Sequence, residues 1–328
     1  MLYYYALLYY NINLKQIKTM KKIHLISTLI GLLAFSTLAK ADLKVVTSIK
    51  PIHSLASYIM DGVGSPGLIV DGYNSPHSFQ LKPSHAKMLE QADIIFWIGE
   101  DLENFLEKPL ATIAKKAEKI ELLEIKGIKK LKFRERNIFE EHDDHGHDAK
   151  KEEHDDDDDH GHGEYDPHIW LDPINAKVIL NEITEHLIEN DSKNASTYKS
   201  NLAKAISEID KLIIDVITET NTDLSYVVFH DAYQYYENRF NVNILGAMTV
   251  NPDVMPGAEQ IHEIHEVIEH DNVNCILSEP QFNPDIIKSI AKDTSVKTGV
   301  LDPLGANLKP GKDLYFDLIR NMSASFNC

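Results

Sequence analysis

Short apolar, β-branched runs alternate along the chain with amphipathic stretches. Residues 43–49, 68–70 and 94–98 read as strands, and 53–60, 84–91 and 102–117 carry helical periodicity between and after them. The pattern resumes with strand-like runs at 226–229, 243–247, 275–278 and 296–301, interleaved with helical patterns at 232–240, 258–270 and 284–292. Strands regularly separated by helices predict parallel sheets covered by helices on both faces. Between the two series lies a long helical region, 173–219, broken near Asn190-Asp191-Ser192. In its second half Leu202, Ile206, Ile209, Leu212, Ile213 and Val216 recur close to the helical period. One continuous helix bracing two lobes is the reading, because no Gly/Ser-rich linker that would free them is present. The predicted fold class is therefore α/β: two (β/α) lobes with parallel sheets joined by a long rigid helix. The expected divisions are a leader (1–41), a first lobe (42–190), the linking helix (191–221) and a second lobe (222–328). A length of 328 residues suits two cores.

The leader departs from this pattern. Lys21-Lys22, a mainly apolar run over 23–35 and Ala39-Lys40-Ala41 match the charged, apolar and cleavage regions of an export signal, with cleavage expected after Ala41. The apolar run falls short of the ~20 residues that span a bilayer. Residues 1–19 precede the signal awkwardly, and Met20 reads as the true start. No cysteine lies near the cleavage site, so a soluble periplasmic protein is expected rather than a lipid-anchored one. The two cysteines, Cys275 and Cys328, both fall in the exported part, where an oxidising compartment favours one disulfide between them.

Charge narrows the partners. A formal net charge of -18 excludes nucleic acid and anionic membrane surfaces, which need a basic footprint, and favours cations. Six of the 16 histidines, His142, His145, His147, His154, His160 and His162, sit among acidic residues in a segment of about 140–166 almost without apolar side chains. Such a segment cannot bury enough surface to fold alone, so it is expected to bind several metal ions weakly as a disordered loop.

Ligands of parallel α/β sheets bind beyond the carboxyl ends of strands, and metal-ligand residue types occur there four times. His77 stands in the loop after the second strand, His168 just past the acidic loop, His230 directly after a strand, and Asp302 after another. Two come from each lobe, so a site at the lobe interface is expected, with three imidazoles and a carboxylate to close a tetrahedral Zn²⁺ shell. Each signal is weak singly, since a lone loop histidine is more often a hydrogen-bonding surface residue. His53 and His85, within helical patterns, are read as surface or packing residues.

Ser75-Pro76-His77, Asp166-Pro167-His168-Ile169-Trp170, Phe229-His230-Asp231-Ala232-Tyr233, Ser278-Glu279-Pro280-Gln281-Phe282 and Leu301-Asp302-Pro303-Leu304-Gly305 together resemble the motif set of the zinc ABC-transporter periplasmic solute-binding proteins, the ZnuA family. The likeness runs from about Lys44 to the C-terminus and takes in the His-rich insertion and the cysteine pair. It implies two lobes joined by a rigid helix with zinc at their interface. The family's three zinc histidines fall on His77, His168 and His230, and its C-terminal-lobe aspartate, replaced by water in some members, on Asp302. One departure is Pro76, where some members carry an acidic residue. The implied role is a zinc receptor, expected to be a monomer, delivering to an inner-membrane ABC permease with its cytoplasmic ATPase.

Three other readings compete. Manganese-binding relatives typically have a glutamate where this chain has His230, and imidazoles suit zinc better. Glu279 is read as a supporting residue rather than a substitute ligand, and Asp231 as a partner of a ligating histidine or a helix N-cap. Three histidines and a water also describe a catalytic zinc site, but His262-Glu263-Ile264-His265 is one residue short of H-E-x-x-H and reads as a solvated helix face. No enzyme is expected. A metal buffer or adhesin is the last alternative.

Overall fold

The computed structural model describes residues 42–134, 163–249, 252, 256–292, 294 and 296–328. The predicted export signal and all six histidines of the acidic loop lie outside them. Among the described residues no helix is long and apolar enough to cross a membrane.

The first lobe is a four-stranded parallel sheet in the order β2-β1-β3-β4, formed by β1 (Val45–Ile49), β2 (Gly67–Val70), β3 (Ile94–Trp97) and β4 (Glu118–Glu121). β1 and β3 are buried along their whole length, as central strands covered on both faces must be, and their sequences VVTSI and IIFW show it. β4 was not foreseen: its EKIE sequence has a single fully inward residue, Ile120, and reads as a helix end. Charge on an edge strand discourages pairing with another chain. Three helices connect these strands: α1 (Lys50–Ile59), α2 (Pro83–Gln91) and α3 (Glu100–Thr112). At the end of β3 the buried Glu103 carboxylate accepts the backbone N–H groups of Ile98 at 2.8 Å and Gly99 at 3.1 Å.

Two helices follow, α4 (Pro173–Asn190) and α5 (Ala195–Glu219). The Asp172 side chain caps α4 through the Ile174 N–H, and Pro173 occupies the first turn, where its missing donor costs nothing. The break foreseen at 190–192 is real, a short 3₁₀ turn at Ser192–Asn194. At a rise of ~1.5 Å per residue, the 25 residues of α5 extend roughly 37 Å. It buries Tyr198, Ala205, Ile209, Leu212 and Val216 against α1, α4 and the C-terminal helix α9 (Leu314–Ser325).

The second lobe repeats the topology. Its parallel sheet has the order β6-β5-β7-β8, from β5 (Ser225–His230), β6 (Asn243–Thr249), β7 (Cys275–Ser278) and β8 (Lys297–Val300). Its helices are α6 (Gln234–Phe240), α7 (Ala258–His270) and α8 (Asp285–Lys292). α9, which also escaped the sequence reading, packs on α1 and α5 and ties the end of the chain to the first lobe. Lys50 reaches from the start of α1 to the Ala306 and Leu308 carbonyls at 3.0 and 2.7 Å, and Tyr315 Oη donates to the Trp170 carbonyl at 2.9 Å. The main apolar cluster accordingly runs through both lobes, and a smaller one lies under α7 and α8. Cys275 at the head of β7 is disulfide-bonded to Cys328, anchoring the C-terminus.

Candidate metal centre

His77, His168 and His230 meet where the lobes face each other, one ligand atom of each lying within 4.8 Å of the others. Their ring centroids form a nearly equilateral triangle with sides of 5.6, 5.6 and 5.2 Å. Local structure explains the placement. His230 is the last residue of β5 and Glu279 directly follows β7, so both flank the point where the second sheet's strand order reverses. His77 comes from the loop between β2 and α2, and His168 from the turn leading into the 3₁₀ segment Ile169–Leu171.

Two imidazoles are held by carboxylates. Asp166 Oδ1 lies 2.7 Å from His168 Nδ1 and also accepts the His168 backbone N–H at 2.9 Å. Glu279 Oε1 lies 2.6 Å from His230 Nδ1. Both carboxylates accept Nδ1–H, which leaves both Nε2 lone pairs turned toward each other at 3.3 Å. Ligands at ~2.0–2.1 Å around a tetrahedral Zn²⁺ are about 3.3–3.4 Å apart along an edge, so this separation fits two zinc ligands already in place. A carboxylate behind each imidazole is how metal-binding histidines are oriented and made more basic.

Burial and neighbouring charge separate the two rings. Burial pushes His168 well below the usual imidazole range, and the nearby His230 adds to the fall. Burial acts on His230 the same way, but the Glu279 charge and hydrogen bond outweigh it, with help from Asp231 and Asp166, and hold His230 above its ordinary value. Behind the histidines lies a buried acidic cluster around one guanidinium. Arg134 donates from Nη1 to Asp231 Oδ1 and Glu237 Oε1, both at 3.1 Å, and from Nη2 to Glu237 Oε2 at 2.7 Å. Burial raises Asp166, Asp231 and Glu237 each to about 7, with Arg134 opposing.

Asp302 is not brought to the trio. Its carboxylate accepts the N–H groups of Leu304 and Gly305 at 3.0 Å and of Ala306 at 2.6 Å, and a fourth hydrogen bond from Gln281 Nε2 at 3.0 Å. A group so engaged shapes the loop after β8, and its position one residue beyond Leu301 gave no sign of that. Asp231 pairs with Arg134 and is not the N-cap of α6, which is Tyr233. His53 packs with Nδ1 3.4 Å from Ser57 Oγ, and His85 Nδ1 accepts the Lys82 N–H at the start of α2. On α7, Ile264 faces the core while His262 and Glu263 are exposed. Missing from the sequence reading are the roles of Asp166 and Arg134. Asp166 could have been found from its spacing two residues before His168. Arg134 carried no signal, being 97 residues from Asp231.

The family described as ZnuA, zinc-uptake complex component A, periplasmic, matches residues 45–327. A high-affinity zinc uptake system protein ZnuA from Brucella abortus is 44% identical over an alignment of 328 residues, covering 94% of this chain and 98% of its own. Among solved structures, a mutant of the laminin-binding adhesin from Streptococcus agalactiae superposes with a TM-score of 0.70 at 23% identity, covering 87% of this chain and 98% of its own. A crystal structure of ZnuA gives 0.69 at 21% identity, covering 87% and 100%. These two likenesses speak to the fold.

Proposed function

The chain belongs to the ZnuA family of periplasmic zinc-uptake components, and from that premise we propose that it is the high-affinity zinc receptor of an ABC importer. In this reading it captures Zn²⁺ in the periplasm, held by His77, His168 and His230 with water at the fourth position, and delivers the ion to a membrane permease. The observation that carries it is the 3.3 Å approach of two Nε2 atoms from opposite lobes, each imidazole backed by its own carboxylate. An all-imidazole set favours zinc over manganese, which prefers carboxylate-rich shells. His77 and His168 belong to the first lobe and His230 to the second, so a small tilt between lobes dismantles the shell and releases the cargo. The acidic loop serves as a weak zinc collector, and the protein is exported by its N-terminal signal.

The test is metal analysis of the purified protein, followed by competition between Zn²⁺ and Mn²⁺. One tightly held zinc is expected, and it should be lost when all three histidines are replaced by alanine. Deleting residues 142–162 should lower total zinc stoichiometry while leaving the tight site intact. A triple variant that also lacks the loop and still holds one zinc tightly would show the assignment to be wrong.

A further inference from the structure

Outside the cleft, one further set of metal-ligand side chains converges among the described residues, at the end of α4 and the edge strand β4. We propose that Glu118, His186 and Glu189 form a second, weaker site for a divalent transition-metal ion of the zinc type.

His186 Nε2 lies 3.1 Å from Glu182 Oε1, one helical turn earlier, so that carboxylate accepts the Nε2 proton and selects the tautomer with a lone pair on Nδ1. Nδ1 is buried and lies 2.8 Å from Glu118 Oε1, yet it makes no hydrogen bond there. A proton on Nδ1 satisfies this contact as an ion pair with Glu118, and a metal ion that displaces that proton would meet Nδ1 and the Glu118 oxygen together. The second Glu118 oxygen accepts Asn190 Nδ2 at 3.0 Å, which holds Oε1 toward the ring. Glu189 brings a third ligand atom, and the three lie within 4.8 Å of one another. The edge of the His186 ring meets Phe96, closing the inner side.

This arrangement repeats the design of the cleft: an imidazole fixed through one nitrogen by a carboxylate and presenting the other to further ligands. One imidazole and two carboxylates suit zinc, and copper(II) more strongly by the general affinity order. The site is weaker than the cleft because the Glu118 side chain is 40% exposed and must be ordered on binding. Water completes the shell from the open side. Its position is also distinct. Glu118 opens β4, so the site lies at the amino edge of the first sheet, whereas the cleft lies beyond the carboxyl ends.

Crystals of the full chain soaked in excess ZnCl₂, with anomalous scattering collected across the zinc edge, decide the matter. A peak about 2.0–2.2 Å from His186 Nδ1, shared with Glu118 and Glu189, is expected. It should vanish in Glu118→Gln/Glu189→Gln crystals whose cleft remains occupied. Absence of a peak in crystals soaked in that excess, with the cleft occupied, would overturn the proposal, as would a peak on the Nε2 side with Glu182. In solution, His186→Gln should lose one of the weaker zinc equivalents and keep the tight one. An unchanged weak stoichiometry would count equally against the site.

Discussion

Replacing Glu279 by glutamine tests whether the carboxylate behind His230 matters to the metal rather than to the fold. Glu279 and His230 are each 3% exposed and 2.6 Å apart. Glutamine keeps an acceptor oxygen at the same reach but removes the charge, so the imidazole stays oriented and becomes less basic. Loss of such an outer partner weakens metal binding by about 10- to 100-fold, or roughly 1.4–2.7 kcal/mol. A second effect runs the other way. Burial lowers the His230 pKa, and it is chiefly Glu279 that lifts it above 6.5. Below that raised value the native protein carries a proton on Nε2, which zinc must displace, so its affinity falls about tenfold per pH unit. In Glu279→Gln burial dominates, the imidazole stays neutral to lower pH, and this competition weakens. The variant should therefore bind zinc 10- to 100-fold more weakly at pH 8, with the gap narrowing toward pH 6. Competition against a chromophoric zinc chelator at several pH values measures both quantities. Equal affinities at pH 8, or a gap that widens as pH falls, would refute the reasoning.

Two further outcomes are expected. Burial raises Glu103 from 4.5 to about 7; the stability this contributes is complete below pH 4.5 and lost as pH rises through 7, so Glu103→Gln should flatten urea-unfolding stability across that window and exceed the native protein above pH 7 by up to about 3 kcal/mol. Identical pH profiles would contradict this. Thiol labelling of the denatured, unreduced protein should modify neither Cys275 nor Cys328, and the Cys275→Ser/Cys328→Ser protein should be less stable by roughly 4 kcal/mol on a chain-entropy account of a loop this long; two labelled cysteines per chain would refute the bond.

Much of the architecture was legible because local pattern and global fold agree. The buried strands β1, β3, β5 and β7 are mainly β-branched or apolar, and α5 keeps its periodicity over 25 residues. Histidines at strand ends and in the loops that follow them stood out for the same reason: a parallel sheet sends its carboxyl-terminal loops to one edge, so sequence position already restricts where such side chains emerge. β4 was missed because an edge strand needs only one inward residue, and its charges resemble a helix end. α9 was missed although Leu314, Tyr315, Phe316, Leu318, Ile319 and Met322 follow a helical period.

What the sequence by itself determined is therefore the fold class, the brace between lobes and which three histidines converge between the lobes, all of which follow from short-range pattern and parallel-sheet connectivity. Only the tertiary structure decided what surrounds those histidines. It gave the Asp302 carboxylate to the backbone of its own loop, set Glu279 behind His230 across 49 residues, and placed Arg134 among carboxylates about a hundred residues away. Such pairings depend on which side chains burial forces together, and a buried charge must find its partner wherever the fold puts one. The single character of each residue holds no record of that distance.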